Sequence, residues 1–141
     1  MSAVVSCAVV TGCTGFQALP ADRDSDGSAD WRPPAGAPEF CSVLADAESV
    51  EEVPDAVGAL LADPTDPEPA FLLAQSAADL RSALVAVRET DGYGELQASL
   101  DELVDALSAA SVGPRGEWSE PIADGLTTVG RLAQPVCAFP A

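Results

Sequence analysis

The sequence predicts an all-α fold: a small antiparallel helical bundle of four to five helices. Three observations carry this. Apolar stripes recur at three-and-four spacing through residues 40–136, as one buried helix face requires. No segment alternates apolar and polar residues with the period of two that a half-buried strand needs. The breaks between the later stripes are short and rich in Pro, Gly and Asp, which favours antiparallel neighbours.

Each element has its own signature. Phe40, Val43, Leu44, Ala47 and Val50 mark a first helix, with Pro38 at its opening turn. A second, short helix follows Val53, opened by Pro54-Asp55, with Val57, Leu60 and Leu61 on one face. The run Asp63 to Pro69 holds three prolines and breaks the chain, and Glu68 sits where an acid favours a helix start. The third helix is the longest, from Pro69 to Glu89. Its stripe is Leu73, Ala77, Leu80, Leu84 and Val87, broadened by Phe71 and Leu72.

Asp91-Gly92-Tyr93-Gly94 is a turn. The fourth helix then runs to about Ser111 on Leu96, Leu100, Leu103, Val104 and Leu107, ended by Gly113-Pro114-Arg115-Gly116. The fifth opens at Ser119-Glu120-Pro121 and shows Ile122, Leu126, Val129, Leu132 and Val136 on one face. Pro135 is expected to kink or stop it just before Cys137.

Composition narrows the function. The 141 residues suit one domain. There are 23 acidic against 6 basic residues, a net charge of −17, and every basic residue is Arg. Without His there is no Ser-His-Asp or Cys-His nucleophile system and no His-ligated zinc. Without Lys there is no Schiff base and no P-loop lysine. So negative a chain repels phosphate backbones, which excludes nucleic acid as a partner. No cofactor is implied.

The N-terminus carries the clearest motif. Ala3 to Val10 is apolar apart from Ser6, too short to span a bilayer but suited to the core of a secretory signal. It ends in Val10-Thr11-Gly12-Cys13, which resembles the lipobox of bacterial lipoproteins. The resemblance implies that residues 1–12 are a signal peptide and that Cys13 is diacylglycerylated and becomes the first mature residue. No basic residue precedes the apolar run, which points to a start codon further upstream. Val4-Val5-Ser6-Cys7 fits the same pattern, so Cys7 is the rival lipidation site; continuation of the apolar run through Val10 favours Cys13.

Export makes the cysteine arithmetic work. With Cys7 lost and Cys13 lipidated, Cys41 and Cys137 remain as a pair in an oxidising compartment. A bridge between them would staple the first helix to the last. In the chain-entropy model it is worth about 4–5 kcal/mol.

Residues 13–38 read as the lipidated Cys and a disordered acidic, Pro-rich tether ahead of a bundle domain over 39–141. About 25 flexible residues reach roughly 25–30 Å. Within the tether, Asp22, Asp24, Asp26 and Asp30 with Gly27 match the first nine positions of an EF-hand-type calcium loop. Pro33 stands where the bidentate acid belongs, so no metal site is expected there.

The whole layout resembles small exported helical lipoproteins of actinobacteria. The carriers are the Glu39-Phe40-Cys41 entry, the Leu-rich middle helices and the Val136-Cys137 ending. This resemblance implies a compartment and a fold, but no activity.

Candidate chemistry is sparse. Glu51-Glu52 and Asp101-Glu102 with Asp105 pair carboxylates, yet the stripe phase turns Asp101 and Asp105 to solvent, so no enzyme is expected. Arg81 and Arg88, seven apart on the third helix, are candidates for gripping a partner or for pairing with nearby acids. Trp118 is a candidate partner anchor or a cap on the core. The expected function is a non-enzymatic accessory or interaction module on the outer face of the cell membrane, held by the diacylglyceryl anchor beside an envelope protein partner. The alternative is a small apolar-ligand-binding helical module of the envelope.

Overall fold

The computed structural model describes residues 31–113 and 117–140. The helical fold lies wholly beyond the division of the chain at Arg32/Pro33. Among the described residues all regular structure is helical. The helices are α1 (Phe40–Ala45), α2 (Val53–Ala62), α3 (Pro67–Arg88), α4 (Gly94–Val112) and α5 (Ser119–Cys137). A short 3-10 helix, Glu48–Glu52, links α1 to α2.

Two hydrogen-bonded pairs fix the direction of α3 against α4. Arg88 Nη2 meets Asp101 Oδ1 at 3.4 Å, and Arg81 Nη2 donates to Ser108 Oγ at 2.7 Å. A seven-residue step back along α3 matches a seven-residue step forward along α4, so the helices run antiparallel in register. The five residues between them turn at Gly92, whose φ of 96° a side chain would oppose.

The predicted stripes are the core. Leu73, Ala77, Leu80, Leu84 and Val87 of α3 are buried, as are Leu96, Leu100, Leu103, Val104 and Leu107 of α4. Ile122, Val129 and Ala133 of α5 close it. Each fully buried Leu contributes roughly 1.5–3 kcal/mol. Phe40 is fully buried and meets the edge of Tyr93 with ring centroids 4.9 Å apart. α5 approaches α4 closely at Gly125, where a Cβ would lie 3.0 Å from Leu103 Cδ1.

Cys41 and Cys137 form a disulfide with a Cα–Cα distance of 5.3 Å across a sequence separation of 96. Both are fully buried. The first and last helices are thereby joined.

Four expectations need correction. The first helix does not run to Val50: it ends at Ala45, and Ala47 leaves helical geometry at φ −80°, ψ 61°. The chain instead turns to place Ser49 against α3, where its side chain and carbonyl both find partners. α3 begins at Pro67 rather than Pro69, because Asp66 accepts from the Glu68 N–H at 3.0 Å and caps it there. Phe71 and Leu61 do not widen the buried stripes; they are 71% and 61% exposed. Pro135 does not stop α5, which continues through it to Cys137. It lies on an exposed face with Arg131, so the carbonyl deprived of its helical donor faces water.

Candidate functional site

The 3-10 segment meets α3 at a buried polar joint. Ser76 sits on the buried stripe of α3, fully buried among Leu73, Ala77 and Leu80. A hydroxyl there must be satisfied. It lies 3.1 Å from the Ser49 carbonyl and 3.0 Å from the Leu72 carbonyl. Ser49, itself 7% exposed, donates its hydroxyl to Asp79 Oδ2 at 2.6 Å. The 3-10 segment is thus pinned to α3 at two points. Beside this joint lies a shallow open hollow of about 120 Å³, lined by Val43, Asp46, Ala47, Asp79 and Ser82. It is small against the several hundred Å³ typical of ligand pockets.

The two candidate arginines meet different partners. Arg88 pairs with Asp101, both about half exposed. Arg81 is exposed and meets the neutral hydroxyl of Ser108. The two arginines lie along the α3–α4 seam, but among the described residues no acid pairs with Arg81 in the same way. Asp101, Glu102 and Asp105 lie on the exposed face of α4, and Glu51 and Glu52 are exposed on the 3-10 segment. Trp118 is 8% exposed at the N-terminal cap of α5. Of its two sequence readings the structure takes the core-capping one, since so little of the indole is available to anchor a partner.

Among the described residues no group of three or more Cys, Asp or Glu could hold a metal ion. Cys7, Cys13 and the calcium-loop aspartates Asp22, Asp24, Asp26 and Asp30 lie outside the described residues. The chain matches no known family model, no curated protein and no solved structure.

Electrostatics add one perturbed group. Thr65 donates its hydroxyl and its backbone N–H to Asp63 Oδ1, at 2.7 and 3.0 Å. These bonds hold the Asp63 carboxyl below the usual aspartate range. They stiffen the exposed turn between α2 and α3 and are not placed to act on a substrate.

The polar joint was missed by the sequence reading. The signal was present: Ser76 falls three residues after Leu73 and four before Leu80, on the stripe itself. A serine at such a position calls for a hydrogen-bond partner from a neighbouring element. α3 is also long and apolar enough to cross a membrane by length and composition alone, and the core helix of a bundle meets the same criteria.

Proposed function

We propose that this chain is a non-enzymatic envelope lipoprotein, anchored through Cys13, whose helical bundle is an accessory or protein-interaction module. The observation that carries the reading is the Cys41–Cys137 bridge. Disulfides persist in oxidising compartments and are rare in the cytosol. The two cysteines left after signal removal and lipidation are the two that the fold joins. The bundle itself is acidic, so a tether that holds it off an anionic lipid surface reduces repulsion. Two acyl chains on one thiol meet the requirement for stable anchoring.

Within that reading Arg81 is the favoured contact for a partner. It is exposed, and its guanidinium meets a hydroxyl rather than a carboxylate. An acidic side chain on a partner would gain a charge-assisted bond there without first displacing an ion pair.

The deciding experiment is an intact mass of the protein from the membrane fraction of its native host. The expected species begins at Cys13, carries a diacylglyceryl group and lacks two hydrogens. A full-length soluble protein with four free thiols would overturn the proposal.

A further inference from the structure

Four large apolar side chains are exposed among the described residues, and three of them share one surface. Phe71 and Val85 lie about four turns apart on the outer face of α3, 71% and 54% exposed. Ala74, Ala78 and Ser82 stand exposed between them. The register that pairs Arg88 with Asp101 and Arg81 with Ser108 brings Val112 level with Ala77 and Ala78, on the same edge of α4 as Ser108. Val112 is 90% exposed. Scattered apolar residues on a surface are ordinary, whereas a contiguous group marks an interaction site. The outer face of α4 shows the ordinary case, with Asp101, Glu102 and Asp105.

The outer face of α3 has edges of opposite charge. On the α4 side stands Arg81, exposed and bonded to the neutral hydroxyl of Ser108. On the α1 side, Asp46 and Asp79 line the hollow of about 120 Å³, together with Val43 and Ser82. Arg81 and the hollow stand at one level of α3, because residues 79 to 82 make a single turn. Such a face complements a second copy of itself in one sense only. Reversing one helix keeps each edge on its own side, so an antiparallel two-fold pair sets the Arg81 edges together and the Asp79 edges together. A parallel two-fold pair crosses the edges and sets each Arg81 against the other copy's hollow.

We propose that this face pairs two copies of the chain with their α3 helices parallel. Phe71, Ala78 and Val85 each pack on their own counterparts, and each Arg81 enters the hollow lined by Asp46 and Asp79 of the other copy. The hollow is small for an organic ligand and wide enough for a guanidinium. The inference rests on the reading of Arg81 as a partner contact and names that partner. Each chain carries a charge of −17, so two copies repel at long range. At physiological salt that repulsion is screened beyond about 8 Å, and the row from Phe71 through Ala74, Ala78 and Ser82 to Val85 presents no carboxylate. One helix face is a small interface, so the dimer is weak, with a dissociation constant on the order of 10–100 µM. Anchors in one membrane would hold two bundles the same way up and raise their effective concentration.

The test uses the full chain with Cys7→Ser and Cys13→Ser, which leaves the Cys41–Cys137 bridge in place. Sedimentation from about 5 to 500 µM, a range that brackets the expected constant, should show monomer giving way to dimer; monomer throughout would overturn the proposal. Val85→Asp, at a position already exposed in the monomer, should weaken the dimer by about tenfold or more with the urea midpoint unchanged. Arg81→Ala should weaken it roughly three- to tenfold. A dimer that neither variant weakens lies on another surface, and the proposal fails. A short thiol-reactive cross-linker reads the orientation. In a parallel pair the chains with Val85→Cys link to one another. In an antiparallel pair, where Phe71 faces Val85 about Ala78, they link only when mixed with chains carrying Phe71→Cys. Linking in the mixture alone would also overturn the proposal. None of these failures touches the Cys13 anchor, which the mass of the membrane-extracted protein decides.

Discussion

The Ser49 hydroxyl reaches Asp79 Oδ2 at 2.6 Å, between residues thirty apart in sequence. This contact, with the Ser76 bond to the Ser49 carbonyl, explains why α1 stops at Ala45. Local spacing favours more helix there. A charge-assisted bond and a satisfied buried hydroxyl outweigh one further turn of a six-residue helix.

Removing either partner tests that balance. Asp79→Ala should destabilise the domain by about 1–2 kcal/mol, because it strands a nearly buried hydroxyl. Ser49→Ala should cost less, since the half-buried Asp79 regains water. Urea unfolding of both single variants and the double variant reads the coupling. Additive effects, with no interaction energy, would show that the bond does not hold the 3-10 segment.

Two glycines of α5 should respond with opposite sign. A methyl at Gly125 would meet Leu103 at 3.0 and 3.2 Å, and Leu103 is fully packed. Overpacking costs roughly 1–3 kcal/mol against a helix-propensity gain of about 1. Gly125→Ala should therefore lower stability by about 1 kcal/mol. Gly130 has open space around it and is exposed. Gly130→Ala should raise stability by about 0.5–1 kcal/mol. Thermal melts of the pair settle the point; two changes of the same sign would contradict the close α4–α5 approach.

The Arg88–Asp101 pair should contribute little. Its side chains are 48% and 54% exposed and its contact is 3.4 Å. Such pairs give about 0–1 kcal/mol and weaken with salt. A double-mutant cycle should return under about 0.5 kcal/mol in 0.15 M salt. A coupling several times larger would mean that the seam between α3 and α4 depends on this charge pair rather than on its leucines.

Asp63 gives the acid response a direction. Its folded-state pKa is depressed by Thr65. The stabilising contribution is thus complete above the ordinary aspartate pKa and fades as pH falls through the lower folded value. Thr65→Val removes the hydroxyl bond while keeping the backbone one. The Asp63 carboxyl should then titrate at higher pH, as read by carbon NMR of the side chain. An unchanged titration would mean that the hydroxyl bond is absent in solution.

Long, strongly periodic segments were legible. The stripes of α3 and α4 are the buried stripes of the fold, because five leucine-class positions at helical spacing leave one way to shed water. The Cys41–Cys137 pairing expected from the sequence is also present in the fold. Three things were not legible. The end of α1 is set by α3, which local spacing cannot report. Phe71 and Leu61 lie at the margins of their stripes, where spacing alone does not say which side chains a neighbour covers. Trp118 stood equally for a surface anchor and a core cap until its neighbours were in place. The candidate site shares this limit: Arg81 could be found from its position, but its neutral partner Ser108 comes from another helix.

The disulfide makes a closed circuit of the domain. Its two half-cystines, 5.3 Å apart at their Cα atoms, bring the beginning of α1 beside the end of α5. A short peptide from Pro140 to Pro38 would complete the same circle in backbone. The exposed turn at Pro64-Thr65 then becomes as good a place to begin the chain as any. Such a circular permutant would keep every helix and every stripe. For the helical core, the packing of the stripes matters more than the order in which the chain visits them.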